Sequence, residues 1–251
     1  MDLERYRNNP SERHRAEDIL GLIPEVPGAA LDVGARDGHF SVRLAERFPS
    51  VVAIDLERPK FQHDKVLCEA GDVTRLRFDD NAFGFVLCAE VLEHIPTEKL
   101  STACDELARV SAGYLLIGVP YRQDPRHGRT TCYSCGRKNP PWGHVNIFDE
   151  ARLRALFPSL AVEKVTFVGE TRDASNLISM WLMDLGGNPW GTYDQDEPCI
   201  HCGQALIPPP KRSILQKIFT RMASYARLIP PGRGTGHPTW IHILFSKPVA
   251  G

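Results

Sequence analysis

Short, almost purely apolar runs alternate along the chain with segments whose apolar positions recur every three or four residues. The runs are AALDVG, VVAIDLE, the stretch Val66–Ala70, GFVLCAE and YLLIGVP, and after a gap AVEKVTFVGE and TWIHILFSKP. Runs of four to eight apolar residues bounded by Gly, Pro or Asp are the signature of strands buried on both faces. Between them, HFSVRLAERF, VLEHIPTEKLSTACDELARV and FDEARLRALFP carry helical spacing, with Pro96 expected to break the second near its start and Asp149 near the N-terminus of the third. A further helix is expected to open at Ser11 as its cap and run through Leu20. Strands that alternate with helices and are apolar throughout predict a parallel sheet covered on both sides. In such sheets ligands bind at the carboxyl ends of the strands.

Beyond Pro120 the alternation loosens. Residues 121–143 and 171–236 hold the prolines, glycines and cysteine pairs of two insertions, while 1–120, 144–170 and 237–251 supply the sheet. Inside the second insertion, KRSILQKIFTRMASYARLI places Ile214, Leu215, Ile218, Phe219, Met222 and Ile229 at helical spacing, with Lys211, Arg212, Lys217, Arg221 and Arg227 on other faces. The ordinary expectation is a surface helix packed on the sheet or on a neighbouring subunit. The other is a peripheral contact of 211–229 with an anionic membrane or lipid-linked substrate.

A chain of 251 residues, 42% hydrophobic and 24% charged, has the composition of a globular protein. Its net charge of −1 exerts no global pull on nucleic acid. The polar start MDLERYRNNPSERHR lacks the apolar core of a secretory signal, so a cytoplasmic location and reduced cysteines are expected.

The strand ends carry the candidate chemistry. Gly34 and Gly38 allow backbone close to a ligand, and Asp55, about 20 residues on, is placed to accept ribose hydroxyls. ALDVGARDGHFSVRLAE, AIDLE, GDV, FGFVLCAEVLEHIP and YLLIGVP together resemble class I S-adenosylmethionine-dependent methyltransferases of the small-molecule (type 11-like) group, over roughly residues 28–120. Agreement is weaker at GHVNIFDEARLRALFP and the final strand. The resemblance implies a Rossmann-like, seven-stranded, mostly parallel α/β sheet with helices on both faces. It assigns Asp32, Gly34 and Gly38 to the methionine pocket, Asp55 to the ribose, Asp72 and Val73 to the adenine, and Ala89 and Glu90 to the sulfonium end. It departs from the family at Arg36, where glycine is usual.

Glu90, Glu93 and His94 fall at i, i+3 and i+4, which would share a helical face if a helix begins near Glu90. His144, in GHVNIF, lies on a loop expected to meet it. Small-RNA 2′-O-methyltransferases and ubiquinone-pathway O-methyltransferases resemble this pattern, which implies a second divalent metal at Glu90, Glu93, His94 and His144. The alternative is metal-free proton transfer by His94 or His144, with Glu93 beside them.

Cys132-Tyr-Ser-Cys135-Gly and Cys199-Ile-His-Cys202-Gly are two C-x-x-C-G knuckles. Four thiolates from two such turns complete a tetrahedral zinc site with no open position, hence structural. This adds an inserted zinc-binding subdomain, the expected lid over the substrate. Cys68, Cys88 and Cys104 read as core residues. The expected activity is in-line methyl transfer to a small-molecule or glycan acceptor, at oxygen. An RNA methyltransferase gripping through the zinc module and basic helix, and a non-catalytic module of the same fold, are the alternatives.

Overall fold

The computed structural model describes residues 9–189, 197–207, 211–229 and 236–248. It divides into two compact units. The larger comprises Pro10–Tyr121, Phe148–Gly169 and the chain from Trp240 onward; the other is built from Arg122–Ile147 and Glu170–Thr239. The segments expected at 190–196, 208–210 and 230–235 within the second insertion lie outside the described residues.

The larger unit is a seven-stranded sheet made of β1 (Ala30–Val33), β2 (Val51–Asp55), β3 (Val66–Ala70), β4 (Phe83–Ala89), β5 (Ser111–Pro120), β8 (Ala161–Val168) and β9 (Trp240–Ser246). Two short strands, β6 (Thr130–Thr131) and β7 (Lys138–Asn139), pair with each other in the second unit. The order in the large sheet is β3-β2-β1-β4-β5-β9-β8. The pairs among β1 to β5 are parallel, and β9 runs antiparallel to both its neighbours. The order reverses between β1 and β4, and that reversal makes a crevice at their carboxyl ends.

Alternate residues of each central strand feed opposite cores. Leu31, Val33, Val86, Cys88, Leu115 and Ile117 pack with Leu100, Cys104 and Leu107 of α3 (Leu100–Val110). Ala30, Phe85, Leu87 and Leu116 pack on the other face with Ile19 and Leu22 of α1 (Pro10–Leu22) and Leu44 of α2 (His39–Ala45). Each fully buried Leu or Phe contributes about 1.5–3 kcal/mol, so both helical layers are needed. Asp149 caps α4 (Glu150–Leu156) by accepting from the Arg152 amide at 2.9 Å. Cys68, Cys88 and Cys104 are buried free thiols.

Two expectations are corrected. The first helix begins at Pro10, so Ser11 lies in its first turn and does not cap it. Residues 91–110 are not one helix: Leu92–His94 and Thr97–Lys99 are separate 3-10 turns, and α3 starts only at Leu100. The break expected at Pro96 is there: its backbone is extended between them, and a proline amide cannot continue a helical ladder.

The second unit holds the β6–β7 hairpin and two helices, α5 (Leu177–Leu185) and α6 (Ile214–Ala226). The basic segment does form its helix, opened by a Ser213–Gln216 capping box. It packs on α5 within this unit, burying Ala223 and Ala226 against Leu182, which replaces the expected seat on the sheet. Among the described residues no helix is long and apolar enough to cross a membrane.

Candidate active site

The loop leaving β1 is fixed by the end of β2. Gly34 and Ala35 amides both donate to the Ile54 carbonyl, and the Arg36 amide donates to the Asp55 carboxylate at 2.9 Å. The Leu56 amide donates to the other Asp55 oxygen at 2.7 Å. Gly34 and Gly38 have φ of 80° and 82°. A Cβ at either would come within 2.3 Å of Val91 or of the Phe61 ring, so no other residue fits without displacing a neighbour. Arg36 itself has φ 46° and is exposed. That left-handed conformation suits glycine; here the arginine side chain lies in solvent and the backbone carries strain of order 1–2 kcal/mol.

Asp32 is buried beneath this loop and accepts from the Ser41 hydroxyl at 2.5 Å. Burial raises its carboxyl to about 6, with the nearby Asp55 charge adding to the effect and the Ser41 bond opposing it. At the end of β3, Asp72 is exposed and takes both the amide and hydroxyl of Thr74 on one oxygen, at 2.9 and 2.8 Å. Those bonds, the amide's foremost, hold its carboxyl below the usual range. Val73 beside it is buried.

β4 ends in a sharp turn: Glu90 follows Ala89 with φ 57° while its amide donates to the Gly118 carbonyl at 2.9 Å. Strained non-glycine residues concentrate at functional sites, and Arg36 and Glu90 are two of them, just past the ends of the neighbouring strands β1 and β4. Glu90 faces Arg15 of α1, 4.0 Å away, which in turn bonds Glu12 at 2.8 Å and lies over the Trp240 ring at 5.7 Å. Burial raises the Glu90 carboxyl, while Arg15 partly offsets the rise.

Because 91–94 is not α-helical, Glu90, Glu93 and His94 do not share a helical face. Glu93 is fully buried, and neither of its oxygens has a hydrogen-bond partner among the described residues. Burial, then the neighbouring Glu90 charge, pushes its carboxyl well above the usual range. His94 is exposed overall, yet desolvation and the Arg36 cation hold its imidazole at about 4; it is neutral and able to accept a proton. His144 belongs to the second unit, where it is buried with Nδ1 2.6 Å from the Gln123 amide oxygen.

A pair that sequence reasoning missed is Asp18 and His242. His242, fully buried on β9, lies with Nδ1 2.6 Å from Asp18 Oδ2, which also accepts from Thr166 at 2.5 Å. Burial lowers the imidazole despite the Asp18 charge. His242 sits opposite Gly118, whose other neighbour on β4 is Ala89, so the pair adjoins the strand-end row. Residues 18 and 242 are 224 positions apart, and no local motif links them.

The four knuckle cysteines converge within the second unit. Cys132 and Cys202 sulfurs lie 3.8 Å apart, Cys135 and Cys199 3.7 Å, and all four sulfurs fall within 4.8 Å of one another. A tetrahedron with bonds of 2.3 Å has edges of about 3.8 Å. The two turns are alike. Gly136 and Gly203 amides donate to the Cys132 and Cys199 carbonyls, and the Cys132 and Cys199 amides donate to Arg137 and Gln204. Both glycines have positive φ, 71° and 72°. Asn139 links the turns by accepting the Ile200 amide at 2.9 Å. Asp184 of α5 pairs with Arg129 and Lys138, which flank the first knuckle.

Residues 31–117 match the family model described as a methyltransferase domain. Uncharacterized methyltransferases of Mycobacterium bovis and Mycobacterium tuberculosis are 25% identical over 171 residues, covering 58% of this chain and 86% of theirs. Among solved structures, a chain of the complex between the Haloferax volcanii Trm112 methyltransferase activator and a methyltransferase aligns with TM-score 0.54 and 15% identity, over 98% of this chain and 96% of that one. Burkholderia thailandensis 1,6-didemethyltoxoflavin-N1-methyltransferase, solved with S-adenosylhomocysteine, aligns with TM-score 0.52 and 19% identity, over 66% and 74%. At these identities the structures speak to fold alone.

Proposed function

We propose that this chain, a class I S-adenosylmethionine-dependent methyltransferase, methylates a hydroxyl of a small-molecule or glycan acceptor by in-line displacement. The observation that carries the reading is the row of groups at the carboxyl ends of β1 to β4, which match the cofactor's polar parts. The cofactor supplies an electrophilic methyl group on a sulfonium. Asp55 would hold the ribose: each of its oxygens already accepts one amide, which orients the carboxylate and leaves a lone pair per oxygen for a hydroxyl. Asp72, preset by Thr74, would accept from the adenine amino group, with Val73 against the ring. Asp32, Gly34 and Gly38 would shape the methionine pocket, and Ala89 and Glu90 the sulfonium end.

The chain's remaining task is to align the acceptor and take its proton. His94 is the proposed base, with His144 the other candidate. An imidazole at about 4 is a weak base, and Brønsted behaviour matches it to an acceptor hydroxyl that is itself acidic. Glu93, buried, would support the turn carrying His94. The cysteine cluster fits a structural zinc by donor type and by its sulfur spacings. Four thiolates leave no position for substrate, so this metal would order the second unit and take no part in the transfer.

Labelled methyl transfer into extracts fractionated by chemical class tests the acceptor. Incorporation into low-mass or glycan hydroxyl fractions is expected; incorporation into RNA alone would overturn the reading.

A further inference from the structure

In the second unit α5 and α6 form an antiparallel pair whose apolar side faces outward. Asn176 ties one end: its side-chain oxygen accepts the Ser179 amide at 2.8 Å, opening α5, and its amide nitrogen donates to the Ala226 and Ile229 carbonyls, closing α6. At the other end Gly186 lets the helices touch, since a Cβ there would meet the Thr220 hydroxyl at 2.5 Å. The seam between them is small: Leu182, Ala223 and Ala226, with Met183 and Phe219 half-buried.

The larger apolar residues point away from that seam. Leu177, Ile178 and Trp181 of α5 are 71%, 55% and 61% exposed, and Ile214, Ile218 and Tyr225 of α6 are 80%, 49% and 61% exposed. At 3.6 residues per turn, the α5 set spans an arc of about 100° and the α6 set about 40°, each turned about 130° from the seam, in the same sense on both helices. In an antiparallel pair equal offsets put both arcs on one face. A surface helix of a globular protein turns its apolar stripe inward; these two turn theirs out.

The charge around this face has one sign. Lys211, Lys217 and Arg221 are exposed, and among the described residues no acidic side chain pairs with them. Residues 211–229 hold five cations and no acid. Asp184, the one acid of α5, is engaged by Arg129 and Lys138. A second copy of the chain seated here would bring like charges together. An apolar face with an indole, a phenol and a cationic border matches the interface of an anionic bilayer.

We infer that the α5–α6 pair is a monotopic docking face for an anionic lipid surface. Binding through it requires neither cofactor nor methyl transfer, so its test is separate from that of the activity. The full chain is sedimented with vesicles of phosphatidylcholine, with and without phosphatidylglycerol. Binding to the anionic vesicles is expected, with at least about tenfold weaker binding to the neutral ones. Trp181→Glu combined with Ile218→Glu, both at exposed positions, is expected to lower binding by more than about tenfold. Lys217→Ala and Arg221→Ala should each lower binding to anionic vesicles by about fivefold while leaving neutral vesicles unaffected. Absence of binding to anionic vesicles would overturn the inference. So would binding that these substitutions leave unchanged, or a solution dimer, seen by light scattering, that the double variant dissolves.

Discussion

The Arg36 amide donates to the Asp55 carboxylate at 2.9 Å, so the residue that departs from the family pattern orients the residue proposed to hold the cofactor ribose. The bond is made by backbone, which is why glycine and arginine can both serve at position 36. Asp55→Ala removes, at a half-exposed site, the acceptor of two amides and the proposed acceptor of the ribose hydroxyls. Hydrogen bonds to a charged group are worth about 1.5–3 kcal/mol, so affinity for S-adenosylmethionine should fall roughly 10- to 150-fold. Calorimetric titration measures this, and undiminished affinity would move the ribose contact elsewhere.

Arg36→Gly relieves the left-handed strain and removes a cation that depresses His94. The His94 imidazole should then titrate above its present value of about 4, followed by NMR of the ring protons. No upward movement would show that desolvation alone sets it.

Asp32 sets a pH dependence of stability. Its carboxyl rises on folding from 3.8 to about 6, so between those values the folded chain binds more protons than the unfolded one and stability falls as pH rises. Asp32→Asn keeps an acceptor for Ser41 without the charge. It should match the parent near pH 4 and exceed it by up to about 3 kcal/mol at pH 7.5, read from urea unfolding. An equal difference at both pH values would contradict the assignment.

Protein purified without chelator should contain about one zinc per chain. Cys135→Ser or Cys202→Ser, at exposed positions, should lose the metal and loosen the second unit. Binding of S-adenosylmethionine should stay within about twofold of the parent, because every proposed cofactor residue belongs to the larger unit. Metal far below one per chain would contradict the zinc reading.

The central strands β1, β4 and β5 are legible because their apolar residues serve both faces; Leu31 and Ala30, neighbours in sequence, serve opposite cores. The two cysteine turns are legible because each knuckle is local. The turn after β4 is legible only in part: Pro96 marks the interruption of the ladder, but the spacing of Glu90, Glu93 and His94 suits a helix, whereas Glu90 turns left-handed. Helical spacing likewise identifies α6 without saying which side meets solvent, and Ile214 is its most exposed large apolar residue. The Asp18–His242 bond joins the first helix to the last strand, a pairing set by topology alone.

Titration of the purified chain with S-adenosylmethionine, by calorimetry with thermal shift alongside, tests the central claim most directly. Saturable one-to-one binding with a raised Tm is the predicted result. No heat and no shift at millimolar ligand would contradict the assignment as a methyltransferase.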